Sequence, residues 1–365
     1  MTMLDQPARA GGAMLLRGEV RALRAYRLAQ PQDAIRLHQN EAPDDWPEAV
    51  KREVARQLVA AAWHRYPGAR AEAVCEAIGR LQGTPASMVV ATAGSNEALW
   101  ALFAAYAARG TVVLPAPTYS MARTLATVAG ARVVEVPLGQ GFTLDAGAVL
   151  RAAHAHRAEL IYLVSPNNPT GNLLAPDAVR EVIAGAPGAV AIDEAYWEFA
   201  SVSHLDAVRR WPHVVLVRTF SKAMGGAGLR VGWITAPEEV AAELQKVLPP
   251  YSLNIFAHVA VPVLVAHRDV ARARVAAVVE ERARVARALA ALGLTVYPSE
   301  TNFLLFEPGR PPGEVWQALA EEGVLVRDVS RVAGLEACLR VSIGRPAENE
   351  RFLDALRAVL EGRGR

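Results

Sequence analysis

The feature that most constrains this chain is an alternation running from about residue 87 to residue 236. Continuous apolar runs (SMVVATAG, TVVLP, ARVVEVPL, ELIYLVSP, AVAIDEAY, HVVLVRTF and LRVGWITA) alternate with segments of helical spacing such as NEALWALFAAYAA, SMARTLATVA, DAGAVLRAAHAH and PDAVREVIAG. Strands without a polar face must be buried on both sides. Runs of this kind separated by helices therefore predict an α/β architecture, a largely parallel sheet covered by helices on both faces. A sheet of that type collects its ligand at the carboxyl ends of its strands.

The pattern changes after about Pro249. Residues 254 to 292 form a long apolar and arginine-rich segment, read as one long helix kinked early at Pro262. Short strands (TVYP, NFLLFE, GVLVR, CLRVSIG) and two helices close the chain. The expected organisation is an N-terminal arm and part of a small domain over residues 1–40, a large domain over 41–250, and a connecting helix with a smaller α+β domain over 251–365. A chain of 365 residues buries roughly three quarters of its unfolded surface, enough for such a division. Ahead of the alternation, residues 47–62 and 69–82 have helical spacing, and Ile35–Leu37 reads as a short strand.

Several strand ends carry polar groups that an ordinary crossover does not need. After HVVLVRTF come Ser221, Lys222, a glycine cluster (Gly225, Gly226, Gly228) and Arg230. A lysine at the end of a buried strand, next to a second cation, has a lowered pKa and can attack a carbonyl at neutral pH. Ser221, backbone N–H groups and Arg230 could hold a phosphate beside it. Taken alone, the stretch reads more readily as a surface turn with two solvated cations.

After IYLVS comes Pro166-Asn167-Asn168-Pro169-Thr170-Gly171, where the bond before Pro169 is a candidate for the cis form. After AVAI come Asp193, Glu194 and Tyr196; a carboxylate against an apolar strand needs a cation or a strong donor. After MVVATA come Gly94, Ser95 and Asn96 at a helix start, where free N–H groups favour an anion. Singly, these read as a helix cap, a loop and a salt-bridged acid. Jointly they supply what one molecule of pyridoxal phosphate needs.

SPNNPTG, then DEAY, then TFSKAMGGAGLRVGW follow in that order, with 25 residues from Asn168 to Asp193 and 29 from Asp193 to Lys222. This set resembles the fold-type I aminotransferases of class I and II. HQNEAP at 38–43, RYPG at 65–68, APTYSMARTLATVAGARVVEVPL at 116–138, GVLVRD at 323–328 and CLRVSIG at 338–344 are similar, within that group, to histidinol-phosphate aminotransferases. The resemblance covers the chain from about Val20. It implies a mostly parallel seven-stranded sheet and a dimer with shared sites.

For individual residues, the resemblance implies that Lys222 forms the Schiff base with pyridoxal 5'-phosphate and then shuttles the substrate proton. Asp193 would pair with the pyridinium nitrogen and keep it protonated. Asn168 and Tyr196 would bond the ring's 3' oxygen, and Tyr119 would lie against the ring. Gly94, Ser95, Asn96, Ser221 and Arg230 would surround the phosphate, with Tyr66 reaching a phosphate across the dimer interface. Tyr26, Asn168, Arg327 and Arg340 would contact substrate. Arg340 lies within an apolar strand, where a cation calls for an anion. One anion site would then take the phosphate of histidinol phosphate in one half-reaction and the carboxylate of glutamate in the other.

The sequence departs from the family's pattern at Asn96, which replaces an acid, in QNEAPDDWP at the substrate entrance, and at Met224 and Gly226 beside the lysine. None removes a catalytic group, but the entrance changes leave the amino donor open. The implied reaction is L-histidinol phosphate plus 2-oxoglutarate giving imidazole acetol phosphate and L-glutamate, by a ping-pong mechanism. The alternatives are an aminotransferase for aromatic or other amino acids, a threonine-phosphate decarboxylase, and the aminotransferase-like half of a transcriptional regulator. The last is disfavoured because no helix-turn-helix pattern precedes the large domain.

Net charge of +2 with interspersed signs gives no footprint for nucleic acid. Cys75 and Cys338 make no metal spacing. No apolar run approaches the roughly 20 residues of a membrane span, and no signal-like core precedes the first glycines. The expectation is a cytoplasmic enzyme with small-molecule partners, no bound metal and no membrane association.

Overall fold

The structure, a computed structural model, describes residues 16–23, 25 and 33–362. A two-residue strand, β1 (Ile35–Arg36), precedes the alternating region. Each of the seven apolar runs then becomes a strand: β2 (Val89–Thr92), β3 (Thr111–Ala116), β4 (Arg132–Pro137), β5 (Leu160–Val164), β6 (Ala189–Asp193), β7 (Val214–Thr219) and β8 (Gly232–Thr235). They form one sheet in the order β2-β8-β7-β6-β5-β3-β4. The pairs within β7-β6-β5-β3-β4 are all parallel, while β8 runs antiparallel to both β2 and β7.

The central strands β5, β6 and β7 are buried at every residue, which is why they carry no alternation. Helices on the two faces complete two apolar layers. Ser95–Ala107 packs on one side with Leu99, Leu102 and Phe103. The helices Ala146–Ala155 and Pro176–Gly185 pack on the other.

The reversal of β8 matters for the site. Because β8 runs backwards, its first residues lie at the same edge of the sheet as the carboxyl ends of β2, β6 and β7. Arg230, two residues before β8, therefore belongs to that edge.

Residues 254–292 differ from the single kinked helix predicted for them. Two helices, Ile255–Ala266 and Arg268–Ala291, are separated at His267, and Pro262 lies inside the first. A proline removes one helical hydrogen bond, and this helix carries on past that loss. The break falls instead at His267, whose ring meets the Glu53 carboxylate at 3.0 Å.

The chain ends in a four-stranded antiparallel sheet of β9 (Thr295–Val296), β10 (Phe303–Glu307), β12 (Arg327–Asp328) and β13 (Leu339–Ser342), ordered β12-β13-β10-β9. Another short strand, β11 (Val324–Leu325), pairs in parallel with β1. The N-terminal side of the chain is thereby stitched to this smaller sheet, and Leu37 shares a core with Phe303, Phe306, Leu339 and Phe352. Among the described residues no helix is long and apolar enough to cross a membrane.

Candidate active site

A cavity of about 700 Å³ opens between the carboxyl edge of the large sheet and the smaller sheet. Its lining draws together Ser95, Asn96, Tyr119, Asn168, Asp193, Tyr196, Ser221, Lys222, Arg230, Arg327 and Arg340. Residues drawn from strand ends more than 240 positions apart thus meet in one place.

Lys222 follows β7 by three residues. Its amine donates to the Gln39 carbonyl at 3.2 Å and lies 5.8 Å from the Tyr196 ring centroid. Burial lowers its pKa to about 8, and the nearby Arg340 and Arg230 guanidiniums add to the effect. A minority of the amine is therefore neutral and nucleophilic near physiological pH, far more than for an ordinary lysine.

Asp193 closes β6 and is buried. Its Oδ1 accepts the Ala195 N–H at 2.9 Å and its Oδ2 accepts the Tyr162 hydroxyl at 2.7 Å. Burial raises its pKa to about 6, against the opposing pull of those two donors. Such a carboxylate gains from a cation placed in the cavity.

Tyr162 was not anticipated from the sequence. It is fully buried in β5, and its register partner Ala191 lies two residues before Asp193 on the neighbouring strand. Side chains two apart on a strand share a face, so the tyrosine reaches the acid diagonally. A lone hydroxyl within the apolar run LIYLV was the available signal.

Ser95 begins a 13-residue helix, and Ser95 and Asn96 line the cavity, so a helix start, which favours an anion, borders it. Arg230, in the left-handed region at φ 55°, donates to the Ser221 hydroxyl at 3.3 Å and to the Ala227 carbonyl at 2.9 Å. Gly94 sits at φ 84°, and a Cβ there would collide with the Arg230 guanidinium; one on Gly232 would strike the Ser95 backbone. The two glycines let a cation and a helix start close around one small volume, a cradle suited to a phosphate. Tyr119 donates its hydroxyl to Asn96 Oδ1 at 2.9 Å. The side chain that departs from the acidic pattern is thus a neutral acceptor that holds the tyrosine.

The third part of the cavity comes from the smaller sheet. Arg327 and Arg340 are register partners in the β12–β13 pair, and both line the cavity. Arg340 is 8% exposed, donates to Asn168 Oδ1 at 2.6 Å and to the His38 carbonyl at 3.0 Å, and lies over the Phe303 ring. The peptide before Pro169 is cis, as considered for this turn.

The segment 38–46 lines the cavity with its first four residues, His38 to Glu41. Asn302 donates to the carbonyls of Asn40 and Glu41. Trp46 donates to the Met224 carbonyl at 2.8 Å, and Arg274 donates to the Ala223 carbonyl at 3.1 Å. Two consecutive carbonyls after Lys222 are therefore held from outside the turn.

Two of the predicted residues stand apart. Tyr66 is 81% exposed and stacks on Tyr251 with centroids 4.7 Å apart, outside the cavity of its own chain. Tyr26 lies outside the described residues.

Amine, acid and phosphate cradle are arranged for one aromatic ring bearing an aldehyde, a basic nitrogen and a phosphate. This defines an α/β enzyme of the pyridoxal-phosphate class. The family model "Aminotransferase class I and II" matches residues 32–356. The histidinol-phosphate aminotransferase of Chlorobium luteolum is 38% identical over 92% of this chain and 95% of its own length. That of Thermococcus kodakarensis is also 38% identical, over 94% and 97%. A solved histidinol-phosphate aminotransferase from Sinorhizobium meliloti, in complex with pyridoxal-5'-phosphate, superposes with a TM-score of 0.85 at 23% identity, over 99% of this chain and 100% of that one. The chain belongs to the aminotransferase class I and II family, and it is a pyridoxal-phosphate-dependent aminotransferase.

Proposed function

We propose that the protein transfers the amino group of L-histidinol phosphate to 2-oxoglutarate, giving imidazole acetol phosphate and L-glutamate, in histidine biosynthesis. The observation that carries this reading is the Arg327–Arg340 pair, two guanidiniums in register at the cavity wall, one of them buried. A single anion between them suits the phosphate of one substrate and a carboxylate of the other. The names of the relatives at 38% identity support the same substrate.

Pyridoxal phosphate, when bound, supplies an electron sink for the bond broken at the substrate's Cα. The protein's part is assigned as follows. Lys222 would hold the cofactor's aldehyde and, once released, would carry the substrate's proton at its amine. Asp193, kept in place by Tyr162 and the Ala195 N–H, holds the ring nitrogen's proton. Asn168 and Tyr196 would hold the ring's 3' oxygen, and Tyr119 would lie against the ring. Gly94, Ser95 and Asn96 with Ser221 and Arg230 take the phosphate. Arg327 and Arg340 orient the substrate.

The exposed apolar side chains Val59, Trp63, Tyr66, Tyr251 and Phe256 support a homodimer in which Tyr66 reaches the partner's phosphate site. A cytoplasmic location accords with this biosynthetic role.

The test is a panel of amino donors, each scored by the loss of bound pyridoxal phosphate absorbance as the pyridoxamine form appears. Histidinol phosphate is expected to convert the enzyme far faster than phenylalanine, tyrosine or unphosphorylated histidinol. Equal rates with the aromatic amino acids would assign the protein to them. Carbon dioxide released from threonine phosphate would make it a decarboxylase.

A further inference from the structure

Counting donors and acceptors behind Tyr196 leads to a residue with no role assigned so far. The Tyr196 hydroxyl accepts from Asn40 Nδ2 at 2.9 Å and from Asn168 Nδ2 at 3.3 Å. A phenol has one proton to give and two lone pairs to receive with. Two amide donors fill those lone pairs and leave the proton directed at the cavity that Tyr196 lines.

The amides themselves are oriented. Asn168 Oδ1 is taken by Arg340 at 2.6 Å, so its NH₂ must face the tyrosine. For Asn40 the same is done by Ser342. The Ser342 hydroxyl accepts the Asn40 backbone N–H at 2.8 Å and then has its one proton for Asn40 Oδ1 at 3.0 Å. Asn40, Ser342 and Tyr196 are all at most 3% exposed, so water does not compete for these groups. Asn40 also adopts φ 56°, a left-handed conformation that asparagine and glycine tolerate best. Its carbonyl is held by Asn302.

We propose that Asn40 is a positioning residue: fixed by Ser342 on the smaller sheet, it sets the Tyr196 hydroxyl as a donor to the 3' oxygen of the bound cofactor. This rests on the assignment of Tyr196 to that oxygen. A chain of single protons runs from Ser342 to Asn40 to Tyr196 to the cavity, and the seating of residues 37–41 on the smaller sheet thus reaches the cofactor's electronics. A donor at the 3' oxygen stabilises the oxyanion, so the bound cofactor holds its titrating proton less tightly. Losing the donor raises the pH at which the cofactor's visible absorbance changes.

The experiment is an absorbance titration of the holoenzyme for wild type, Asn40→Gly, Tyr196→Phe and the double variant, with the melting temperature of each. Glycine is chosen because it keeps the positive φ while deleting only the amide. Asn40→Gly is expected to raise the midpoint by roughly half a pH unit to one unit, a threefold to tenfold change in proton affinity. Tyr196→Phe should raise it by more, and the double variant should match Tyr196→Phe alone. Should Asn40→Gly fail to fold, Ser342→Ala, which frees the amide to turn over, is expected to shift the midpoint the same way. A lowered melting temperature with an unmoved midpoint, or an equal shift in the Tyr196→Phe background, would overturn the proposal. A wild-type protein without a pH-dependent cofactor band would instead overturn the underlying site assignment.

Discussion

The two walls of the cavity are built in different ways. The cofactor wall is a row of strand ends: Ser95 after β2, Tyr119 after β3, Asn168 after β5, Asp193 at the end of β6 and Lys222 after β7. Asn168, Asp193 and Lys222 follow or end strands that are buried throughout, which fixes where those strand ends lie. The substrate wall has no such row. It joins Arg327 and Arg340 on the smaller sheet to the segment 38–46, which is anchored through side chains such as Asn302 and Arg274. On the proposed assignment, a rigid sheet would carry the chemistry common to the class, and a stitched assembly would carry the choice of substrate.

Damage to the cofactor wall should therefore remove chemistry with every donor, while damage to the substrate wall should act through the seating of substrate, with the cofactor still attached. The largest effect is expected for Lys222→Ala: no covalent attachment of pyridoxal phosphate, seen as loss of its Schiff-base absorbance, and turnover reduced by about 10³-fold or more. A persisting Schiff-base band would reject the lysine assignment.

Asp193→Asn comes next, with turnover lower by about 10²-fold through loss of the ring nitrogen's counter-charge, measured by single-turnover kinetics. The same acid gives a pH prediction. In the cofactor-free chain its pKa is raised to about 6, so above that value it is a carboxylate ready for a pyridinium, and below it the added proton opposes binding. Cofactor affinity should therefore fall about tenfold per pH unit below about 6, and this slope should vanish in Asp193→Asn.

Arg327→Ala should cost about tenfold in kcat/KM, chiefly through KM, since its partner Arg340 keeps the buried position. The smallest effect is expected for Tyr162→Phe, which removes one hydroxyl from Asp193 and should weaken cofactor binding a few-fold while leaving the lysine chemistry intact. Equilibrium binding of pyridoxal phosphate checks it.

The same contrast explains what was legible in the sequence. The central strands of the large sheet were readable because a strand buried on both faces is an unbroken apolar run, and the polar residues at its end then stand out; the edge strand β4 is largely uncovered and was legible only by its valines. Asp193, Lys222 and Asn168 were found that way. Tyr162 was hidden because a tyrosine inside such a run looks like one more apolar residue until the register places it beside Asp193. Asn40, Asn302 and Arg274 were hidden for another reason: each makes its decisive hydrogen bond to a residue more than 50 positions away. No local periodicity records such pairings. The break at His267 in place of a kink at Pro262 belongs here too, since a side-chain contact across 214 positions marks the place.

The central claim is that one anion site serves both half-reactions, and Arg340→Ala tests it most directly. Conversion of the bound cofactor by histidinol phosphate and by glutamate would be followed separately, by stopped-flow absorbance, in wild type and variant. Both rates are expected to fall together, by about 10²-fold, as loss of a buried charge-assisted contact implies. A fall with one donor and an unchanged rate with the other would contradict a shared site.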